Sequence, residues 1–239
     1  MTGCDIVSFD LDGTLVDSAR EIVDSANAAL ADRDIAARPA DEIVRLIGHG
    51  GRALMIALLA RAFLERPQLA DRVRVDDVIA GYEMHYERRI GSASRTYPGA
   101  RQVLAELRRM HVRTACVSNK ERHLAERVLK AHGLHPYLDL LVGGDSLPYK
   151  KPHPSVLRHV AQALGGDTRR MAHVGDSAID VEAARAAGVE AWAVSYGYSG
   201  GVPIEQALPQ RLFDSLDEVA RHVHSLRAAA PFNLLETTT

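Results

Sequence analysis

The chain has 239 residues, 46% hydrophobic and 25% charged, a balance that excludes a disordered tract and leaves enough apolar material for a sizeable core. Its 29 basic and 31 acidic residues give a formal net charge of −2, so no global field draws in nucleic acid or an anionic membrane, and any anion site must be local. Its 2 cysteines are too few for a disulfide framework, no stretch approaches the roughly 20 apolar residues of a membrane span, and the first residues lack a secretory-signal pattern; a cytoplasmic protein is expected.

The first element predicted is a strand at Ile6–Phe9, followed at once by Asp10-Leu11-Asp12-Gly13-Thr14. Residues two apart in extended backbone point the same way, so the two carboxylates converge beyond the strand's end, although an Asp-Gly turn capping the next helix reads similarly. From about 16 to 94 only helix-like segments follow. One starts near Asp17 or Ser18, one follows Pro39 and ends at Gly48, one runs from Arg52 to about Phe63, and one spans roughly Asp76 to Ile90 with Ile79, Tyr82, Tyr86 and Ile90 on one stripe. The expectation is a helical domain over 16–94, linked at Thr14–Asp17 and at the small residues Gly91-Ser92-Ala93-Ser94.

Beyond it, short apolar runs at Thr114–Val117, Leu140–Val142, Met171–Val174 and Ala191–Val194 alternate with helical patterns at Ala100–Met110, Glu121–His132, Ser155–Leu164 and Ala178–Ala187. Strand–helix alternation predicts an α/β fold, a doubly wound parallel (Rossmann-like) sheet core made of 1–15 and 95–239, with the helical domain inserted. The residues from Arg227 onward show no sustained period and read as a loosely held tail.

Several runs end in reactive groups. Ser118-Asn119 closes the second, Lys150-Lys151-Pro152 lies past the third, and Gly175-Asp176-Ser177-Ala178-Ile179-Asp180 closes the fourth. Ligands of open parallel sheets bind beyond the carboxyl ends of the strands, so one crevice collects a nucleophilic carboxylate, a second carboxylic acid, a hydroxyl, a cation and a further carboxylate. That is equipment for phosphoryl transfer. The helical insertion contributes Gly48-His49-Gly50-Gly51-Arg52, in which Gly50 lets backbone approach a ligand and Arg52 could pair with a substrate carboxylate, although a Gly-rich helix–helix connection whose arginine faces solvent reads similarly. Tyr196–Gly201 would edge the same crevice, and His173 reads as a packed strand residue rather than a ligand.

Together the motifs Phe9–Leu15, Ser118-Asn119, Lys151-Pro152-His153-Pro154 and Gly175–Asp180 resemble, in order and spacing, the haloacid dehalogenase superfamily. Within it the chain is similar to phosphatases with a helical cap, above all the phosphoglycolate phosphatases. The resemblance implies Asp10 as the nucleophile that forms an aspartyl-phosphate, and Asp12 as the acid that protonates the leaving alcohol and then activates water. Ser118 and Asn119 would bind the phosphoryl oxygens. Lys151 would supply positive charge, with Lys150 as its rival. A bound Mg2+ would relieve the repulsion between Asp10 and a phosphate dianion, held by the side chains of Asp10 and Asp176 and the carbonyl of Asp12, with Asp180 mostly behind them.

The function implied is hydrolysis of a small phosphate ester, such as 2-phosphoglycolate, by a monomer or homodimer. A sugar-phosphate phosphatase, a pyrophosphatase, a phosphosugar mutase and a catalytically silent phospho-ligand binder remain alternatives at this point.

Overall fold

The structure, a computed structural model, describes residues 3–228. A parallel sheet in the order β5-β4-β1-β6-β7-β8 is built from β1 (Ile6–Phe9), β4 (Arg113–Val117), β5 (Leu140–Val142), β6 (Met171–Gly175), β7 (Glu190–Val194) and β8 (Arg211–Phe213). The chain leaves β1 toward β4 and β5, then returns to lay β6 on the other side of β1. The reversal opens a crevice at the carboxyl ends of β1 and β6. Register puts Phe9 opposite Val174, and the Asp10 N–H donates to the Val174 carbonyl at 2.9 Å, so Asp10 and Asp176 leave the same edge of the sheet.

Strand periodicity sorts the core onto two faces. Val7, Phe9, Cys116, Ala172, Val174 and Trp192 pack with α5 (Ala100–Arg109), α6 (Arg122–Ala131) and α9 (Leu216–Ala228). Ile6, Ala115, Val117, Met171 and Ala191 face α7 (Ser155–Ala163) and α8 (Ala178–Ala187). Cys4 and Cys116 are buried free thiols, and burial pushes the Cys4 thiol up to about 12, which leaves it inert near neutral pH. Among the described residues no helix is long and apolar enough to cross a membrane.

Four helices occupy the insertion: α1 (Ala19–Ala31), α2 (Ala40–Val44), α3 (Gly51–Glu65) and α4 (Val75–Arg89). The second is shorter than its pattern predicts, ending at Val44 rather than Gly48. Of the stripe on α4, Ile79, Tyr82 and Tyr86 are buried and Ile90 half-buried, packed mainly against α1.

The interval expected to lack strands carries one. Val16–Asp17 (β2) pairs antiparallel with Arg95–Thr96 (β3), so both ends of the insertion meet in a two-stranded ribbon. Two residues hold no period to read, which is why the sequence hides them. The Gly91–Ser94 link is gripped rather than loose: Glu21, buried on α1, accepts from the Ala93 and Ser94 N–H groups and from the Ser94 hydroxyl, each at 2.9 Å. Arg227 and Ala228, placed in the tail by the sequence, belong to α9; the rest of that tail lies outside the described residues.

Candidate active site

Asp10 and Asp12 extend β1 past its last pair, and the turn at Gly13 folds over Asp176. Gly13 has φ 91, and a Cβ there would fall on the Asp176 carboxylate, so this position requires glycine twice over. Asp176 follows β6 and is fixed through both oxygens: the Thr14 hydroxyl donates to Oδ1 at 2.9 Å and the Tyr198 N–H to Oδ2 at 2.8 Å.

One oxygen from each of Asp10, Asp176 and Asp180 lies within 4.8 Å of the others, all buried. Three hard oxygen donors this close repel one another unless a cation sits among them. Lys151 supplies part of that charge, its Nζ 2.9 Å from Asp10 Oδ1 and 2.6 Å from Asp180 Oδ1. Its rival Lys150 instead donates to the His49 carbonyl at 2.5 Å, on the exposed rim.

The three carboxyls differ in their electrostatics. Burial pushes Asp10 up to about 7, against the pull of Lys151, and pushes Asp176 up to about 8, with Asp10 and Asp180 adding repulsion. Burial also acts to raise Asp180, but Lys151 and His173 outweigh it and hold the group well below the ordinary carboxylate range. Asp180 is therefore the permanent anion of the three.

Its oxygens are engaged on every side. Oδ2 accepts from the Ser177 N–H at 3.2 Å and hydroxyl at 2.6 Å, while Oδ1 faces both Lys151 and His173. His173 is fully buried on β6, and burial lowers its pKa, so the ring is neutral. Its Nδ1 is 2.8 Å from the Ser8 hydroxyl and its Nε2 3.1 Å from Asp180 Oδ1. Only a proton on Nε2 satisfies the carboxylate, which makes Ser8 the donor to Nδ1. A chain Ser8–His173–Asp180–Lys151–Asp10 thus runs from the sheet's interior to the crevice. His173 is a packed strand residue as its run suggests, but a polar one with a partner at each nitrogen.

Asp12 sits apart from this cluster. Its Oδ1 accepts from the Ser18 hydroxyl at 2.5 Å and from Lys120 Nζ at 2.7 Å, and Lys120 also donates to the Tyr86 hydroxyl at 2.6 Å. Ser18, expected to cap α1, spends its side chain on Asp12. The cap comes from Tyr198, whose hydroxyl accepts from the Ser18 and Ala19 N–H groups at 2.7 and 2.9 Å and donates to Asp17. Tyr198 joins the Asp176 loop to the root of the insertion.

An open cleft of about 370 Å³ lies between the sheet edge and the insertion, with Asp10, Asp12, Ser118, Asn119 and Lys120 on one side and Gly48, Gly50, Gly51 and Leu54 on the other. Gly50, at φ 88, lies so close to the Asn119 carbonyl that a Cβ would collide with it, and Asn119 Nδ2 donates to the Gly48 and Lys151 carbonyls at 2.9 Å each. Gly50, Ser118 and Asn119 are therefore brought to the cleft. Arg52 is not: it points outward from the first turn of α3 to pair with Asp76 at 3.0 Å, and it does not line the cleft. Lys120, anchored by the Tyr86 hydroxyl behind it, lines the cleft in its stead. The sequence offered one signal for them, a lysine two residues past the strand-ending Ser118.

A model of haloacid dehalogenase-like hydrolases matches residues 4–188, which hold the Asp10–Thr14 turn, Ser118, Lys151 and the Asp176–Asp180 segment. The chain belongs to this hydrolase family. It is 45% identical over 197 residues to a plasmid phosphoglycolate phosphatase of Cupriavidus necator, covering 82% of this chain and 83% of that one. A phosphoglycolate phosphatase of Chromobacterium violaceum is 41% identical over 194 residues, covering 81% and 86%. Among solved structures, one described as a predicted phosphoglycolate phosphatase from Haemophilus somnus superposes with a TM-score of 0.87 at 28% identity, over 93% of this chain and 99% of that one. The matches to both relatives and to the solved structure take in the bulk of the chain.

Proposed function

We propose that this hydrolase is a Mg2+-dependent phosphatase that cleaves 2-phosphoglycolate through an aspartyl-phosphate on Asp10. The observation that carries the chemistry is the meeting of Asp10, Asp176 and Asp180 around Lys151 at the crevice of the sheet. The substrate comes from the phosphoglycolate phosphatases that the chain resembles over most of its length.

Asp180 is already charge-paired with Lys151 at 2.6 Å, whereas Asp176 meets only the neutral Thr14 and Tyr198 donors and Asp10 turns a single oxygen to Lys151, so Asp10 and Asp176 are the carboxylates that would hold an ion, joined by the Asp12 carbonyl as the family resemblance implies. Carboxylate and carbonyl oxygens suit magnesium, which when bound would neutralise phosphate charge and stabilise the charge that develops in the transition state. Lys151 adds a fixed positive charge to the same end of the site, and Ser118 with neighbouring amides would donate to the phosphoryl oxygens.

Asp10 then forms a bond from a carboxylate oxygen to phosphorus as the ester P–O bond breaks, and Asp12 gives its proton to the departing glycolate oxygen. In the second half Asp12 takes a proton from water, which attacks the aspartyl-phosphate. The P–O bond to Asp10 breaks, inorganic phosphate leaves and the carboxylate is restored. Residues 16–94 would act as a lid over a core of 1–15 and 95–239, drying the site as it closes on the β2–β3 ribbon.

Phosphate release from phosphoglycolate, sugar phosphates, nucleotides and pyrophosphate, each with and without Mg2+, tests the proposal. Phosphoglycolate is expected to be turned over fastest and only with the metal. Preference for a sugar phosphate, or metal-independent turnover, would contradict it.

A further inference from the structure

The cleft has a feature that neither the sequence motifs nor the family match assigns. Among the described residues that line it, Lys120 is the one cation. Lys151 is committed to Asp10 and Asp180, Lys150 lies on the rim against the His49 carbonyl, and Arg52 is turned out to Asp76. We propose that Lys120 is the specificity-determining residue that pairs with the carboxylate of the substrate. This rests on the phosphoglycolate reading above and names the group that would make it selective.

Connectivity supports the assignment. In phosphoglycolate the carboxyl carbon is two bonds from the ester oxygen, so the carboxylate must lie beside whichever group protonates that oxygen. Lys120 Nζ is 2.7 Å from Asp12 Oδ1, so a substrate whose leaving oxygen meets Asp12 brings its far end to Lys120. The ammonium is held in place from the insertion, 2.6 Å from the Tyr86 hydroxyl and 4.4 Å from the centre of its ring.

Burial makes this cation selective. Lys120 is 6% exposed, and in water-poor surroundings a charge-assisted pair is strong while an unpaired carboxylate is costly. Ile22, Ile47, Leu54 and Tyr82 wall the remainder of the cleft. Three of these four are aliphatic and offer nothing to the hydroxyls of a longer phosphosugar, which favours a short acid as the occupant.

The test compares kcat/KM for phosphoglycolate with that for 2-hydroxyethyl phosphate, in which CH2OH replaces the carboxylate, in the parent, Lys120→Met, Lys120→Gln and Lys120→Arg. The parent should prefer the charged ester by at least about tenfold. Lys120→Met and Lys120→Gln should bring that ratio close to one, chiefly by raising KM for phosphoglycolate, and Lys120→Arg should restore part of it. Either neutral variant suffices if the other does not fold. Any fall in kcat shared by both esters reports the lost contact to Asp12 and cancels in the ratio.

Equal losses on both esters, with the preference intact, would overturn the assignment and leave Lys120 serving Asp12 alone. A parent that shows no preference for the charged ester would overturn the phosphoglycolate reading itself, and this subsite with it.

Discussion

The crevice at the end of the sheet and the helical insertion above it are held together in opposite ways. At the sheet, Asp176 and Asp180 each accept at both oxygens, and one oxygen of Asp10 lies against the Lys151 ammonium. In the insertion, the wall that faces the cleft is apolar side chain and glycine backbone, and the charged groups Arg52 and Asp76 pair in the open. The difference shows where each kind of selection acts. Chemistry at phosphorus demands fixed charge in low dielectric, whereas choice among small substrates needs only a wall and one well-placed cation.

The largest expected effect lies at the sheet. Asp10→Asn should lower phosphate release by about four orders of magnitude or more while leaving the melting temperature near that of the parent, because the nucleophile is lost and the packing is not. Steady-state release and a thermal melt decide it. A variant within tenfold of the parent would move the nucleophile elsewhere.

Next comes the ion. A chelator should abolish activity and added Mg2+ restore it, and Asp176→Asn should weaken Mg2+ binding by about 10- to 100-fold, read by titration calorimetry. Proton competition gives this prediction a pH dependence. Asp10 and Asp176 are raised by burial to about 7 and about 8, from an ordinary carboxylate value of 3.8. In the metal-free protein the stability these raised groups contribute is present below about pH 4 and lost as pH rises through 7 to 8. Metal must displace those protons, so Mg2+ affinity should climb over the same interval and level off above about pH 8. Affinity that is flat across it would contradict the buried, mutually repelling pair.

A smaller effect belongs beneath the site. His173→Gln and Ser8→Ala both break the chain that orients Asp180, and each should cost about tenfold in kcat with little change in KM, the expected mark of a positioning residue. Nitrogen NMR of the His173 ring should show a proton on Nε2 in the parent. A proton on Nδ1 instead would reverse the direction of the chain.

The smallest effect, under about twofold, is expected for Arg52→Ala, since its partner is an exposed carboxylate and not the cleft. A large loss on phosphoglycolate would mean that the insertion swings Arg52 inward on closing, and would erase the contrast between the two regions.

What the sequence disclosed follows the same divide. Asp10, Ser118 and Asp176 could be found because each ends or follows an apolar run, and parallel strands bring their carboxyl ends to one edge whatever lies between them. Asp180 could be found because a helical turn separates it from Ser177 at the start of α8. The Lys120–Tyr86 contact could not, since it joins a loop of the core to a helix of the insertion and depends on how the two dock. Nor could the outward turn of Arg52, decided by Asp76 across the α3–α4 pair. Glycine beside arginine marked the connection between the two helices and left the side chain's direction open between cleft and solvent.

At the far edge, β8 has only three residues, two of them exposed, and gives no run to recognise. Helix α9 does carry a signal, with Leu216, Val219, Ala220 and Val223 spaced at helical intervals and buried against the sheet. The β2–β3 ribbon shows the limit from the other side, since two-residue strands exist only through their partner.

The central claim is that Asp10 itself takes the phosphoryl group. Acid quench of the protein during turnover of labelled phosphoglycolate with Mg2+, followed by peptide mapping, tests it most directly. Label on the peptide that carries Asp10, absent from the Asp10→Asn variant and absent without metal, is the predicted result. Turnover with no label on the protein, or label on a peptide from elsewhere in the chain, would contradict it.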